Sequence, residues 1–570
     1  MNIVRGTRGA AVGVLSLLTV VACTPSAASR PDAPPRPVGA AAGAGAPSEP
    51  DGGSQVAGRP KSAPRTSTGG RTPAAAPRSA ATLAAGRAGA RFDLDGDGRD
   101  ELVVGAAASP GGTALHVRYS RVARRDTVTA PASAPGYLLA PRYTAGDFNG
   151  DGFQDLTVAA FRTPTQGAVE HAILVYPGGP DGLDRDRVTL LPGMNAGAFA
   201  AGDLDQDGDD ELAVGDGGAT EQRDGPFRGS VTVLSGSPNG VTLTGSVRLQ
   251  QVVPRWSGLA EENFGTHLAI GDLTGDGYAD LVVNGSRRGT SETDWHGMLT
   301  LFPGSATGPD ARRVSKVEGQ LDTAGDSLPV DVILLSDLDQ DGRADLVLGL
   351  PRSAGGRVIY LRGAAAGLSW AGRRVIDQDT PGVPGRPDPD ATGGHFGAAL
   401  ATGDVTGDGL PDLLVGAMTM TVGAAADAGS VTLLPGTPQG PTGAGALAYT
   451  QAVQTGDWPR PPAEFGQSAA MLRDQPEPND YLGSAVAILD LDGTGPLEMF
   501  AVAKYEDRWQ QPADAPYGLL TTLGIQTRTP RRGSTGPAAS RLVPLRQQRP
   551  ADLSGGGTRL LHFGYGLLSN

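Results

Sequence analysis

The feature that most restricts this chain is a nine-residue loop of alternating oxygen side chains, Asp147-Phe148-Asn149-Gly150-Asp151-Gly152-Phe153-Gln154-Asp155, which recurs six more times in 570 residues. With the loop numbered 1 to 9, side-chain oxygens stand at positions 1, 3, 5 and 9, and position 7 offers its backbone carbonyl. Hard cations such as calcium take six to eight oxygens at about 2.3–2.6 Å, so one loop supplies most of a coordination shell and water the rest. Glycine at position 6 permits the tight turn.

The side-chain ligands expected on this pattern are Asp93, Asp95, Asp97 and Glu101; Asp147, Asn149, Asp151 and Asp155; Asp203, Asp205, Asp207 and Glu211; and Asp272, Thr274, Asp276 and Asp280. They continue with Asp337, Asp339, Asp341 and Asp345; Asp404, Thr406, Asp408 and Asp412; and Asp490, Asp492 and Glu498. Arg99, Phe153, Asp209, Tyr278, Arg343 and Leu410 are the position-7 residues whose carbonyls complete the sets. The seventh loop has Thr494 at position 5 and Pro496 at position 7, and is expected to bind weakly or not at all.

The residues after each loop decide its class. An EF-hand needs a bidentate Glu at position 12 and flanking helices, whereas here position 9 runs into apolar strand signals such as Leu346-Val347-Leu348-Gly349. A second apolar strand ending in a turn comes next, as in Ile173-Leu174-Val175-Tyr176-Pro177-Gly178. Phe264-Gly265, Phe396-Gly397 and Phe465-Gly466 open apolar stretches leading toward a loop. Each unit thus reads as strand A, loop, strand B, strand C, turn, strand D. Four-stranded units in radial repetition make a propeller, so the expected fold is all-β, a seven-bladed β-propeller of antiparallel blades over residues 91–570. No Phe-Gly strand precedes the loop at Asp93, and no loop comes after Phe563-Gly564, so the C-terminal strand is expected to supply strand A of blade 1.

These residues resemble the FG-GAP repeat family, whose best-known members form the seven-bladed head of integrin alpha chains. Phe396-Gly397 with Val415-Gly416-Ala417 matches the name-giving motif, and the acidic loops match its calcium sites. The resemblance implies Ca2+ in up to six or seven loops. It also implies a partner-binding face, without identifying the ligand. The Phe-Gly pair is absent before the loops at 147, 203 and 337.

The amino terminus reads differently. Arg5 and Arg8 precede an apolar run from Ala10 to Val21, too short to span a bilayer as a helix and of signal-peptide length, so residues 1–22 are expected to be a leader. Val20-Val21-Ala22-Cys23 resembles the lipobox of bacterial lipoproteins, which implies lipidation of Cys23, the chain's single cysteine; the alternative is an ordinary cleavage site. Residues 24–90 are Ala-, Pro-, Gly- and Arg-rich with no apolar period and read as a disordered tether. This segment is basic, so the formal charge of −14 is concentrated in the remainder, much of it on the loops. Such a balance argues against nucleic acid as a partner.

Catalytic signatures are thin. There is no Gly-x-Ser-x-Gly elbow, no P-loop lysine and no His-Glu-x-x-His. His267 and His395 border Phe-Gly strands at what read as equivalent places in two blades, and are expected to be packing or turn residues. Trp256, Trp295, Trp458 and Trp509 fall in the long B–C and D–A connections, on the face opposite the loops, and are the candidate ligand-binding residues. The expected function is a non-catalytic, calcium-stabilised extracellular binding or adhesion module, monomeric and lipid-anchored to the bacterial cell membrane, or else freely secreted. Its partner would be a surface protein or polysaccharide. The alternative is a polysaccharide lyase or hydrolase built on the propeller, with Lys504, Tyr505, Glu506 and Asp507 as the candidate cluster.

Overall fold

A computed structural model describes residues 92–567 apart from 109–112, 121–123, 165–166, 218–226, 251–260, 289–294, 319–329, 354, 386–393, 453–475, 492, 494–496, 506–518, 529–538 and 549–559. The leader, Cys23 and the tether therefore lie outside the described residues. Within them every regular element is a strand, and the fold is the seven-bladed propeller expected from the repeats.

Blade 2 shows the unit plainly. Leu138–Gly146, Asp155–Arg162, Glu170–Tyr176 and Thr189–Pro192 pair antiparallel in chain order, and the acidic loop connects the first two. The same order holds from Ala198–Gly202 to Thr242–Leu249 in blade 3 and from Leu268–Gly271 to Ser315–Glu318 in blade 4. Blades 5, 6 and 7 run from Val332–Ser336 to Arg374–Ile376, Phe396–Gly403 to Leu447–Tyr449 and Leu482–Leu489 to Ala539–Gln548. Blade 1 is assembled from both ends of this region. Leu560–Leu567 pairs antiparallel with Leu102–Ala108, which is followed by Thr113–Arg118 and Arg125–Val128.

The core lies between blades. Among the described residues, five of the six apolar clusters draw on two neighbouring blades, as where Leu346 and Leu348 of blade 5 meet Val282 and Leu299 of blade 4. The sixth spans blades 7, 1 and 2 through Leu489, Phe500, Leu102, Leu115 and Leu156. Both faces of a blade are covered, which is why strand B reads as an unbroken apolar run: all six residues of Asp412–Ala417 are buried. Each buried Leu or Val stabilises by about 1.5–3 kcal/mol, so most of the fold's stability resides in blade-to-blade packing.

Glycine sets how close the blades come. Gly215 and Gly349 in strand B of blades 3 and 5 lie against the carbonyls of Gly265 and Gly397, the glycines of the next blade's Phe-Gly pair. Gly416 of blade 6 meets Gly483 in the same way. Blade 7 therefore corrects the sequence expectation. Its strand A opens at Leu482-Gly483, eight residues before Asp490, the spacing of Phe264 to Asp272 and Phe396 to Asp404. Phe465-Gly466 lies 25 residues before Asp490, outside the described residues.

Candidate metal loops

Strand A ends and the chain reverses through two left-handed positions. Position 4 is Gly150 in blade 2 (φ 64°) and Gly275 in blade 4 (φ 71°); position 6 is Gly152 (φ 88°) and Gly277 (φ 95°). Gln206 and Gln340 hold position 4 at φ 60° and 56° in blades 3 and 5.

This reversal points backbone N–H groups at the carboxylates. Asp147 at position 1 accepts from Asp151 N–H through Oδ1 at 3.1 Å and from Gly152 N–H through Oδ2 at 2.8 Å, and Asp93, Asp272, Asp337 and Asp404 accept from positions 5 and 6 in the same way. Asn149 at position 3 accepts from Asp151 N–H at 2.9 Å, and Asp151 at position 5 accepts from Phe153 N–H at 3.1 Å. Asp95, Asp205 and Asp339 repeat the position-3 bond, and Asp97, Asp207, Asp276, Asp341 and Asp408 repeat the position-5 bond. The loop backbone thus preorganises its own acids.

Position 9 ties the loop to the rest of its blade. One oxygen of Asp345 accepts from Leu338 N–H in the loop and the other from Gly363 N–H in the C–D turn, at 3.1 and 2.9 Å. The second bond recurs from Gly178 to Asp155, Gly304 to Asp280 and Gly436 to Asp412. The recurring turn glycine is therefore a donor to the position-9 carboxylate. Burial, chiefly, pushes the carboxyl up to about 9 in Glu101, about 8 in Glu211 and about 7 in Asp155, with neighbouring loop acids adding to the shift. A cation would lower these values by offsetting the crowding.

The donor set fits a hard divalent cation. Single carboxylate oxygens of Asp93, Asp95 and Glu101 lie within 4.8 Å of one another, as do those of Asp203, Asp205 and Glu211 and of Asp337, Asp339 and Asp345. Asp203 Oδ1 is buried with no hydrogen-bond donor on it. In the seventh loop Asp490 accepts from Gly493 N–H and Glu498 from Leu491 N–H; Asp492, Thr494 and Pro496 lie outside the described residues.

Neighbouring loops are joined to one another, which the repeat pattern did not reveal. The position-1 carbonyls of Asp93, Asp147 and Asp272 accept from the position-8 N–H groups of Gln154, Asp210 and Ala344 in the next blade. Position 8 is acidic at Asp100 and Asp210, whose carboxylates accept the N–H of Asp490 and Asp147 across the blade border. Position 7 has a role besides its carbonyl, since Phe153, Asp209, Arg343 and Arg99 sit against position-4 glycines Gly96, Gly150, Gly275 and Gly493 of the preceding blade. Where position 4 is Gln206 or Gln340, that side chain instead donates to the carbonyl of Gly277 or Gly409. Among the described residues Gly407, at position 4 of blade 6, is the exception, with open space around it.

The other candidates are dispersed. Trp256, Trp458 and Trp509 lie outside the described residues; Trp295 opens a strand of blade 4 by pairing with Arg288, and its side chain is outside them too. Lys504 Nζ is 5.3 Å from the Tyr505 ring centroid, and Tyr505 packs edge-on against Tyr481, with Glu506 and Asp507 outside the described residues. His267 lies beside Asn284, its pKa pushed down to about 4 by burial, whereas His395 immediately precedes Phe396 in a left-handed conformation, so the two are not equivalent.

Known proteins give the same picture of the repeats. The FG-GAP repeat profile matches residues 264–291 and 396–434, and the FG-GAP-like repeat profile matches 147–214. Integrin alpha-7 of Rattus norvegicus is 29% identical over 160 residues, 28% of this chain and 13% of its own length. Phosphatidylinositol-glycan-specific phospholipase D of Rattus norvegicus is 39% identical over 115 residues, 19% of this chain and 13% of its own. The chain thus spans a small part of the relatives it matches. Among solved structures a rhamnogalacturonan lyase aligns over 58% of each chain at 14% identity with a TM-score of 0.30.

Proposed function

We propose that this chain, an array of integrin-alpha-like FG-GAP repeats, is a calcium-stabilised extracellular binding module that carries out no chemistry of its own. The observation that carries the reading is that the loop acids are organised by their own backbone while, among the described residues, the loops of blades 1 to 5 and 7 are each bonded to the loop of the next blade. A cation held there would stiffen the joint between blades. When bound, it supplies positive charge among crowded carboxylates and fixes loop geometry; the ligand would meet the opposite face, where the long B–C and D–A connections run. In this reading Cys23 anchors the chain by lipid to the bacterial surface, and the partner is a surface protein or polysaccharide.

The test is capture from cell-envelope and polysaccharide fractions by the immobilised full chain in calcium, beside a variant with Trp256, Trp295, Trp458 and Trp509 changed to Ala. Captured material is then analysed for cleavage. An intact ligand lost by the variant supports the binding module, and a cleaved product overturns the non-catalytic reading.

A further inference from the structure

Blade 5 departs from blades 2, 3, 4 and 6 at one residue of the C–D turn. The position before the C–D turn glycine is Pro177 in blade 2, Ser235 in blade 3, Pro303 in blade 4 and Pro435 in blade 6, none of which carries charge. In blade 5 it is Arg362, next to Gly363. Its Nε lies 2.6 Å from Asp339 Oδ2 and 3.2 Å from Asp341 Oδ2, so one guanidinium is seated on the position-3 and position-5 acids together. The Asp339 side chain is fully buried and that of Asp341 is 19% exposed, whereas the Arg362 side chain is 55% exposed, so solvent screens the pairs from the guanidinium side while the acids themselves are held in place. From the same strand end, Tyr360 O–H donates to Asp345 Oδ2 at 3.0 Å and Asp339 Oδ2 at 3.4 Å.

We infer that Arg362 is a built-in counter-ion of blade 5, holding that loop in shape without a bound cation and weakening its cation affinity relative to the other loops. The inference rests on the reading of the loops as calcium sites. Asp337, Asp339 and Asp345 still bring oxygens within 4.8 Å of one another, so the blade has the acids of its siblings and differs in the charge already placed among them. A cation entering must either share Asp339 and Asp341 with the guanidinium or displace it. A unit positive charge within several ångströms opposes a divalent ion enough to cost tenfold or more in affinity. The gain is a blade whose loop keeps its form when calcium falls, between neighbours whose joints depend on it.

The full chain is stripped with chelator and titrated with calcium by calorimetry, with bound metal counted by atomic absorption. Arg362→Gln should add one tight site, or tighten one site at least tenfold, and Asp337→Asn placed on that variant should remove it. Asp337→Asn alone should leave the tight-site count of the natural chain unchanged, while Asp147→Asn in blade 2 should lower it by one. Arg362→Lys, which keeps the charge and the fold, should add none. If Asp337→Asn and Asp147→Asn each remove one tight site and Arg362→Gln adds none, the inference fails while the loop reading stands. Absence of calcium uptake by every variant would overturn both.

Discussion

The backbone N–H of Asp100 donates to the carbonyl of Asp490 at 3.0 Å, and the N–H of Asp490 donates back to the Asp100 carboxylate at 2.8 Å. These residues are 390 positions apart, and the exchange joins blade 7 to blade 1. Asp100 also accepts from Phe92 N–H, so its carboxylate serves two buried donors. Asp100→Ala should leave both unpaired, at about 1–3 kcal/mol each. The expected outcome is a lower melting temperature by calorimetry, with a smaller loss for Gln154→Ala, whose backbone link to Asp93 survives the change.

The strand Leu560–Leu567 covers the inner edge of Leu102–Ala108. Truncation before residue 559 should expose that row of donors and acceptors, which invites pairing between chains. Light scattering is expected to show oligomers at concentrations where the full chain gives none, and unchanged mass together with an unchanged melting temperature would refute the closing role.

Gly215 faces the carbonyl of Gly265, and a Cβ there would overlap backbone of the next blade. Gly215→Ala should therefore cost about 2 kcal/mol or more, since neither backbone can retreat without parting the blades. Gly152→Ala is the control: open space surrounds that site, and only its positive φ opposes the methyl. Urea denaturation of the two variants separates steric overlap from backbone strain.

Calcium should raise the melting temperature in steps set by occupancy. At a hundredfold excess over the dissociation constant each occupied loop adds about 2.7 kcal/mol. Scanning calorimetry in calcium against chelator measures the sum. Asp272→Asn should reduce the calcium-dependent increment more than it reduces stability in chelator.

Acid should destabilise the fold through His116. This imidazole is 3% exposed, its Nε2 has no hydrogen-bond partner, and burial lowers its pKa from 6.5 to about 4. The unfolded chain then binds the proton more readily, so the contribution is complete above pH 6.5 and is lost as pH falls toward 4. Its full size is up to about 3 kcal/mol. His116→Gln should flatten the stability profile over pH 4–6.5, and an unchanged slope would count against it.

Much of the site was legible because its rules are local. Oxygens at alternate positions, glycine at position 6 and apolar runs after position 9 are properties of nine to fifteen consecutive residues, and they identify loop and strand together. The Phe-Gly reading of blade 7 failed where residue identity was trusted over spacing. Leu482 serves where Phe264 and Phe396 serve, because the constraint falls on the glycine that meets Gly416 and on its distance from Asp490.

The repeat, the pattern of loop oxygens and the all-β class follow from residue order, since each depends on which residues stand next to which. What the loops touch follows from how the chain is folded in space. Position 8 reaches the preceding blade at Asp100 and Asp210, position 7 covers a neighbour's glycine at Phe153 and Arg343, and Arg362 rests on Asp339. Across blade borders the partners are some 60 to 390 residues apart, and even Arg362 and Asp339 meet only because the C–D turn folds back onto its own loop. Coulomb attraction and hydrogen bonding act over a few ångströms in space, and no spacing along the chain encodes which charge will arrive opposite another.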